Sequence, residues 1–192
     1  MAGKPEIPAQ PFPYAEILDE LRESLSRVDV NQFLALAEEI AGARSIFLAG
    51  VGRSGLVARM FAVRLTHLGR QVHVMGESTS PACGAGDLLI IVSGSGKTRG
   101  LRHLPASARS VRTRVAVVTS RRNSPLGRRA DLTVLVPVAA GRGRTQVQLS
   151  RQFGASLFEQ AALICLETLV LILMRRLRET EPRMISRHQN LE

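Results

Sequence analysis

Two short stretches carry the residue types of an anion cradle: Gly50-Val-Gly-Arg-Ser-Gly55 and Ser93-Gly-Ser-Gly-Lys-Thr98. Each comes after a short apolar run, Ser45-Ile-Phe-Leu-Ala49 for the first and Asp87-Leu-Leu-Ile-Ile-Val92 for the second. Such runs, ended by glycine, read as buried strands of a parallel sheet. Glycine lets the backbone approach a ligand closely. A helix after the loop offers unpaired N–H groups and the positive end of its dipole. Ser54, Ser93, Ser95 and Thr98 add neutral hydroxyls. Neutral donors suit a phosphate monoester that must bind and then leave.

Two nucleotide motifs come close to these stretches. Gly50-x-Gly52-x-x-Gly55 matches the dinucleotide fingerprint, and Glu77 falls about twenty residues on, where a ribose-binding acid is expected. A second phosphate-type loop is not needed by one dinucleotide, and Ser54 puts a hydroxyl inside the first. Gly96-Lys-Thr98 resembles the end of a P-loop, which requires glycine at position 91. That position is Ile91, inside the strand. The wide loop that wraps a triphosphate is therefore missing, and Lys97 is left to assist a phosphate or to be solvated.

The elements that must position these loops can be read from periodicity. Residues 1–13 carry four prolines and read as a flexible tail. Helical spacing predicts helices over Tyr14–Val28 and Val30–Ala43. Strands are expected at 45–50, 71–75, 87–92, 114–119 and 132–136. A helix after the first loop stops near Gly69, and another is expected from about Thr98 to Val111. A loop with Glu77, Ser78, Thr79 and Ser80 spans 76–86, and a Gly- and Arg-rich loop spans 139–152. A long helix over about 154–178 and a short one over about 181–187 close the chain. Strands alternating with helices give a parallel sheet with helices on both faces. In a doubly wound sheet both loops can face one crevice at the strand C-termini.

The 192 residues suffice for one compact domain, and 45% hydrophobic with 22% charged is ordinary for a globular chain. The most apolar tract, Ala161 to Met174, is interrupted by Glu167, so no membrane span is expected. No apolar core comes after a basic start, and the expected address is the cytoplasm. Cys83 and Cys165 lie far apart and read as small buried thiols. The net charge of +10 raises a nucleic-acid partner. The basic residues are spread along the chain, the nearest to a cluster being Arg121-Arg122 with Arg128-Arg129, and one Tyr, no Trp and six Phe leave little surface for stacking on bases. The expectation is no nucleic acid and a basic surface that steers anionic ligands.

The two loops resemble the phosphosugar-binding loops of the SIS (sugar isomerase) family. Gly76-Glu-Ser-Thr-Ser-Pro81, Gly86-Asp-Leu-Leu-Ile90, Gly154-Ala-Ser-Leu-Phe-Glu-Gln160 and Arg187-His-Gln-Asn-Leu191 extend the resemblance to its 6-phospho-3-hexuloisomerase branch, over nearly everything after the tail. The resemblance implies a three-layer α/β/α sandwich on a five-stranded parallel sheet, flavodoxin-like, as one SIS domain over residues 14–192. It implies cofactor-free interconversion of D-arabino-hex-3-ulose 6-phosphate and D-fructose 6-phosphate, serving formaldehyde fixation or, in reverse, pentose supply. The residues expected to hold the phosphate are Gly52, Arg53, Ser54, Ser93, Gly94, Ser95, Gly96, Lys97 and Thr98. Lys97 departs from the family, where an acidic residue is expected. Alternatives are another SIS isomerase, acting for example on arabinose 5-phosphate, and a non-catalytic phosphosugar-sensing domain. About thirty residues before the sheet are too few for a DNA-binding domain plus linker.

Moving a carbonyl from C3 to C2 removes the C2 proton and reprotonates C3 through a cis-enediol. That needs a base and a group to manage protons on the oxygens. No His, Cys, Asp or Glu cluster has metal-ligand spacing, and the chemistry needs no metal. The family resemblance, rather than spacing, singles out Glu159 as the base; alone it is a favourable first-turn acid. His188 is the candidate proton shuttle, because an unperturbed imidazole titrates near neutrality. It lies 29 residues beyond Glu159, so either the fold brings it back or a neighbouring subunit supplies it. His67, His73 and His103 read as structural. The long helix is apolar on most of its circumference, which predicts burial on more than one side and a homo-oligomer, with a tetramer as the family expectation.

Overall fold

The computed structural model describes residues 13–138 and 150–190. The expected tail, apart from Pro13, and most of the expected 139–152 loop lie outside the described residues, as does Leu191.

Five apolar runs form one parallel sheet: β1 (Ile46–Gly50), β2 (Val72–Val74), β3 (Leu88–Val92), β4 (Arg114–Thr119) and β5 (Leu132–Leu135), in the order β2-β1-β3-β4-β5. β1 and β3 pair in register from Ile46 opposite Leu88 to Gly50 opposite Val92. This order is the flavodoxin-like one. The chain leaves β1 toward one edge and β3 toward the other, so the C-terminal ends of β1 and β3 flank the switch point. Both expected cradles fall there.

The two faces of the sheet are covered unequally. Alternate residues Ile46, Leu48, Leu88, Ile90, Val92, Ala116 and Val118 face a thick layer of α1 (Tyr14–Leu25), α2 (Val30–Gly42), α3 (Arg53–His67) and α5 (Ser156–Arg176). Phe47, Ala49, Leu89, Ile91, Val115 and Val117 face a thin layer. Among the described residues that layer holds only α4 (Leu104–Ser110) and two single 3₁₀ turns, Arg99–Leu101 and Gly127–Arg129. The helix expected over 98–111 is thus broken in two. Gly100 favours no helix, and Pro105 sits in the first turn of α4, where its missing N–H costs nothing.

By length and composition α5 could cross a bilayer, despite the interruption at Glu167. Its place in the fold accounts for that character. Leu157, Phe158, Ala161, Ala162, Cys165, Leu166, Leu169, Val170 and Leu173 are buried within this chain, against α1, α2 and α3. Burial pushes the Cys165 thiol up to about 11. A short helix, α6 (Glu181–Ile185), contacts α3 and buries none of its own residues.

Candidate functional site

The first loop turns on close glycine contact. A Cβ on Gly50 would lie 2.8 Å from the Gly55 Cα, and one on Gly55 would lie 2.8 Å from the Gly50 carbonyl oxygen. Strand and helix therefore touch backbone to backbone. Gly52 caps α3 with φ +60, a conformation that suits glycine. The first turn of α3 has no side-chain cap and no acidic residue. Its unpaired N–H groups point out at the C-terminal edge of the sheet. Ser54 is buried in that turn, while Arg53 is exposed.

The second loop is held by its neighbours. Ser93 is buried, and its Oγ lies 3.1 Å from the Thr98 Oγ1. The Gly94 carbonyl accepts hydrogen bonds from the Ser120 N–H at 3.1 Å, the Ser120 hydroxyl at 2.8 Å and the Thr119 hydroxyl at 3.1 Å. Gly96 (φ +60) accepts from the Leu126 N–H at 3.1 Å, and a Cβ there would fall 2.0 Å from the Ser124 Oγ. The Lys97 N–H donates to the Ser95 Oγ at 3.2 Å, and both side chains are exposed. Among the described residues the N–H groups of Gly94, Ser95 and Thr98 have no acceptor. The loop thus keeps donors for an anion while its carbonyls are occupied elsewhere.

The start of α5 closes the site. A Cβ on Gly94 would lie 2.8 Å from the Phe158 ring, so the β3 loop packs directly on the residue before Glu159. The approach to α5 is fixed from α1, where Glu20 accepts from the Ser150 hydroxyl and the Arg151 N–H at 2.6 and 2.7 Å. The Glu159 side chain is only 9% exposed and forms an ion pair with Nε of Arg53, itself 62% exposed. A buried carboxylate requires such a partner. The first turns of α3 and α5 are thereby joined across the end of the sheet.

The structure brings together both loops and Glu159. It does not bring His188 to them within one chain. His188 stacks on His67, with ring centroids 5.0 Å apart, at the last residue of α3. Arg53 is the first residue of α3, and fourteen rises of 1.5 Å put the two ends about 21 Å apart. Of the two routes open to His188, return within the chain is the one this fold lacks.

Two residues of the site were not among the expected ones. Ser120 and Arg121 come directly after β4, the neighbour of β3. With Gly94, Ser95, Leu157 and Phe158 they help line a cavity of about 310 Å³. The signal was present as a hydroxyl pair, Thr119-Ser120, at a strand's C-terminal end. The β4 loop belongs to the most basic part of the chain. Residues 97–131 contain ten of the chain's 26 Lys and Arg and one of its 16 acids, so +9 of the net +10 falls in 35 residues. The basic residues are thus less evenly spread than expected: this one segment carries them, on the thin layer, on β4 and in the loops beside them. Such a concentration of positive charge raises the local concentration of anions.

A family model described as SIS domain matches residues 39–162. A Mycobacterium gastri protein named 3-hexulose-6-phosphate isomerase is 40% identical over 176 residues, covering 92% of this chain and 88% of that one. A Bacillus subtilis (strain 168) protein of the same name is 39% identical over 178 residues, covering 93% and 96%. A Methanococcus jannaschii structure, described as inferring a molecular function of 3-hexulose-6-phosphate isomerase, superposes with TM-score 0.77 at 30% identity, covering 91% and 98%. The chain belongs to the SIS domain family, in the branch whose curated relatives are named 3-hexulose-6-phosphate isomerase.

Proposed function

We propose that this protein is a cofactor-independent sugar-phosphate isomerase that interconverts D-arabino-hex-3-ulose 6-phosphate and D-fructose 6-phosphate. The observation that carries this reading is the junction of the second loop with α5. A cradle with spare N–H donors packs against the residue preceding a buried, ion-paired carboxylate. The cradle holds the phosphate through Gly52, Arg53 and Ser54 on one side and Ser93, Gly94, Ser95, Gly96, Lys97 and Thr98 on the other. Glu159 takes the C2 proton of the 3-ulose and returns a proton at C3. The hydroxyl proton on O2 passes to O3, so the carbonyl moves and no net oxidation occurs.

His188 manages the protons on the oxygens from a neighbouring copy of the chain. Exposed apolar side chains support such an assembly. Leu56, Met60 and Val63 form a stripe on α3 and are 61%, 49% and 53% exposed. Ile164 and Leu171 are exposed on α5, and Phe153, before α5, is 96% exposed. Faces of this kind mark association surfaces. The assembly is a homo-oligomer of four single SIS domains, each formed by residues 14–192, and it works in the cytoplasm without metal, membrane or nucleic acid.

The test is incubation with fructose 6-phosphate and, separately, arabinose 5-phosphate. The expected result is a 3-hexulose 6-phosphate from the first and no product from the second. Turnover of the pentose phosphate alone would assign a different isomerase. Binding of both without turnover would assign a sensor.

A further inference from the structure

We infer that Arg121 is a substrate-binding residue, a further cation that receives the phosphate of the sugar. The inference rests on the sugar-phosphate reading above and adds a third loop, that of β4, to the cradle. Among the described residues that line the 310 Å³ cavity, Arg121 is the only charged one. The other polar groups there, Ser95, Ser120, Ser150 and Gln152, are neutral. The cavity lies in the size range of small-ligand sites.

The β4 loop is built to hold Arg121 in place. Thr119 and Ser120 are tied to the Gly94 carbonyl by three hydrogen bonds, and Leu126 to Gly96 by a fourth. Gly96 meets Ser124 so closely that no side chain fits between the two loops. The Arg121 N–H donates to the Thr119 Oγ1 at 3.3 Å. The residue is thus carried on a wall locked to the phosphate loop.

Its guanidinium is also uncommitted. The side chain is exposed, and among the described residues it has no acidic partner. Of the other cations of the cradle, Arg53 is held by Glu159, and Lys97 is exposed and offers a point charge in place of a planar fork. A phosphate is the only charged group of the substrate, and an arginine fork matches two of its oxygens. The amides of Gly94 and Ser95, with Arg121 lining the same cavity, form a set for a dianion, where the loop alone is a set for any polar oxygen.

Arg121→Met and Arg121→Lys test this by steady-state kinetics and by inorganic phosphate as competitor. R121M is expected to raise KM for the sugar phosphate and the inhibition constant of inorganic phosphate together, each about tenfold to a hundredfold. The kcat should stay within about threefold, since the residue acts at the phosphate and not at C2 or C3. R121K keeps the charge without the fork and should recover part of the loss, which a purely structural role would not give. The melting temperature should be unchanged, because the side chain is exposed; if R121M unfolds, Arg121→Gln is read the same way. An R121M with KM and phosphate inhibition within twofold of wild type overturns the assignment and leaves the isomerase reading intact. Arg121-dependent phosphate binding in a wild-type protein without turnover overturns the isomerase reading and leaves Arg121 assigned.

Discussion

The two glycine-rich loops look alike in sequence and extend from neighbouring strands, yet they are built for different work. In the first, Gly50 and Gly55 contact each other, and the loop leads straight into the 15 residues of α3. Its glycines serve a local joint between a strand and a helix. In the second, Gly94 meets Phe158 of α5 and Gly96 meets Ser124 of the β4 loop. Its glycines serve contacts with distant parts of the chain. The second loop leads into a 3₁₀ turn and a short helix, not a long one. The first loop is a joint with donors at its mouth. The second is the hub that touches both the start of α5 and the β4 loop, and in the proposed function it fixes the phosphate relative to Glu159 and Arg121.

The largest effect should come from the group that the hub positions. Glu159→Gln is expected to lower kcat about a thousandfold while leaving sugar-phosphate affinity within a few-fold. Full turnover in that variant would remove the base from the account. The loops themselves should then separate by readout. Gly94→Ala drives a methyl into the Phe158 ring, displaces the start of α5 and should lower kcat about tenfold to a hundredfold, as misplacement by a fraction of an ångström does. Gly50→Ala meets backbone that cannot give way. It should cost about 2–3 kcal/mol of stability in denaturant melts, with a smaller loss of kcat in whatever remains folded. If Gly94→Ala lost stability and kept its kcat, the two loops would not differ in the way described.

The smallest effect lies at the opposite end of α3. Burial, then the nearby His188, then Arg64 hold the His67 pKa below its usual value. The unfolded chain takes up this proton near pH 6.5, whereas the folded chain resists it. Stability is therefore full above about pH 6.5 and declines as pH falls through that value. The denaturant midpoint should drop between pH 7.5 and 5.5, and less so in His67→Gln. An equal drop in both would place the titration elsewhere.

Much of this architecture was legible in the residues. Strands buried on both faces are written as continuous apolar runs, and β4 is found at the residues its Val-rich run predicted, Arg114–Thr119. The two cradles were visible because small residues at the end of a strand have few other uses. The break at Gly100 and Pro105 was also in the letters, but a periodic pattern across 98–111 conceals it. Other features depend on pairs far apart in the chain. Glu159 and Arg53 are 106 residues apart, and nothing local in either marks the other. Arg121 is one arginine among many until the Gly94 carbonyl ties its loop to the cradle. The position of His188, at the end of α3 far from Arg53 and Glu159, is set by the fold as a whole, which no local pattern carries.

In the proposed reaction, proton transfer happens between carbons 2 and 3, remote from a phosphate held at the second loop. Wild-type protein incubated with fructose 6-phosphate in heavy water, with proton and carbon NMR as the readout, tests it directly. The expected result is loss of the C3 hydrogen signal of fructose 6-phosphate as a 3-hexulose 6-phosphate carrying deuterium at C2 appears, with both C1 hydrogens intact. Deuterium at C1, with an aldose 6-phosphate as product, would contradict it.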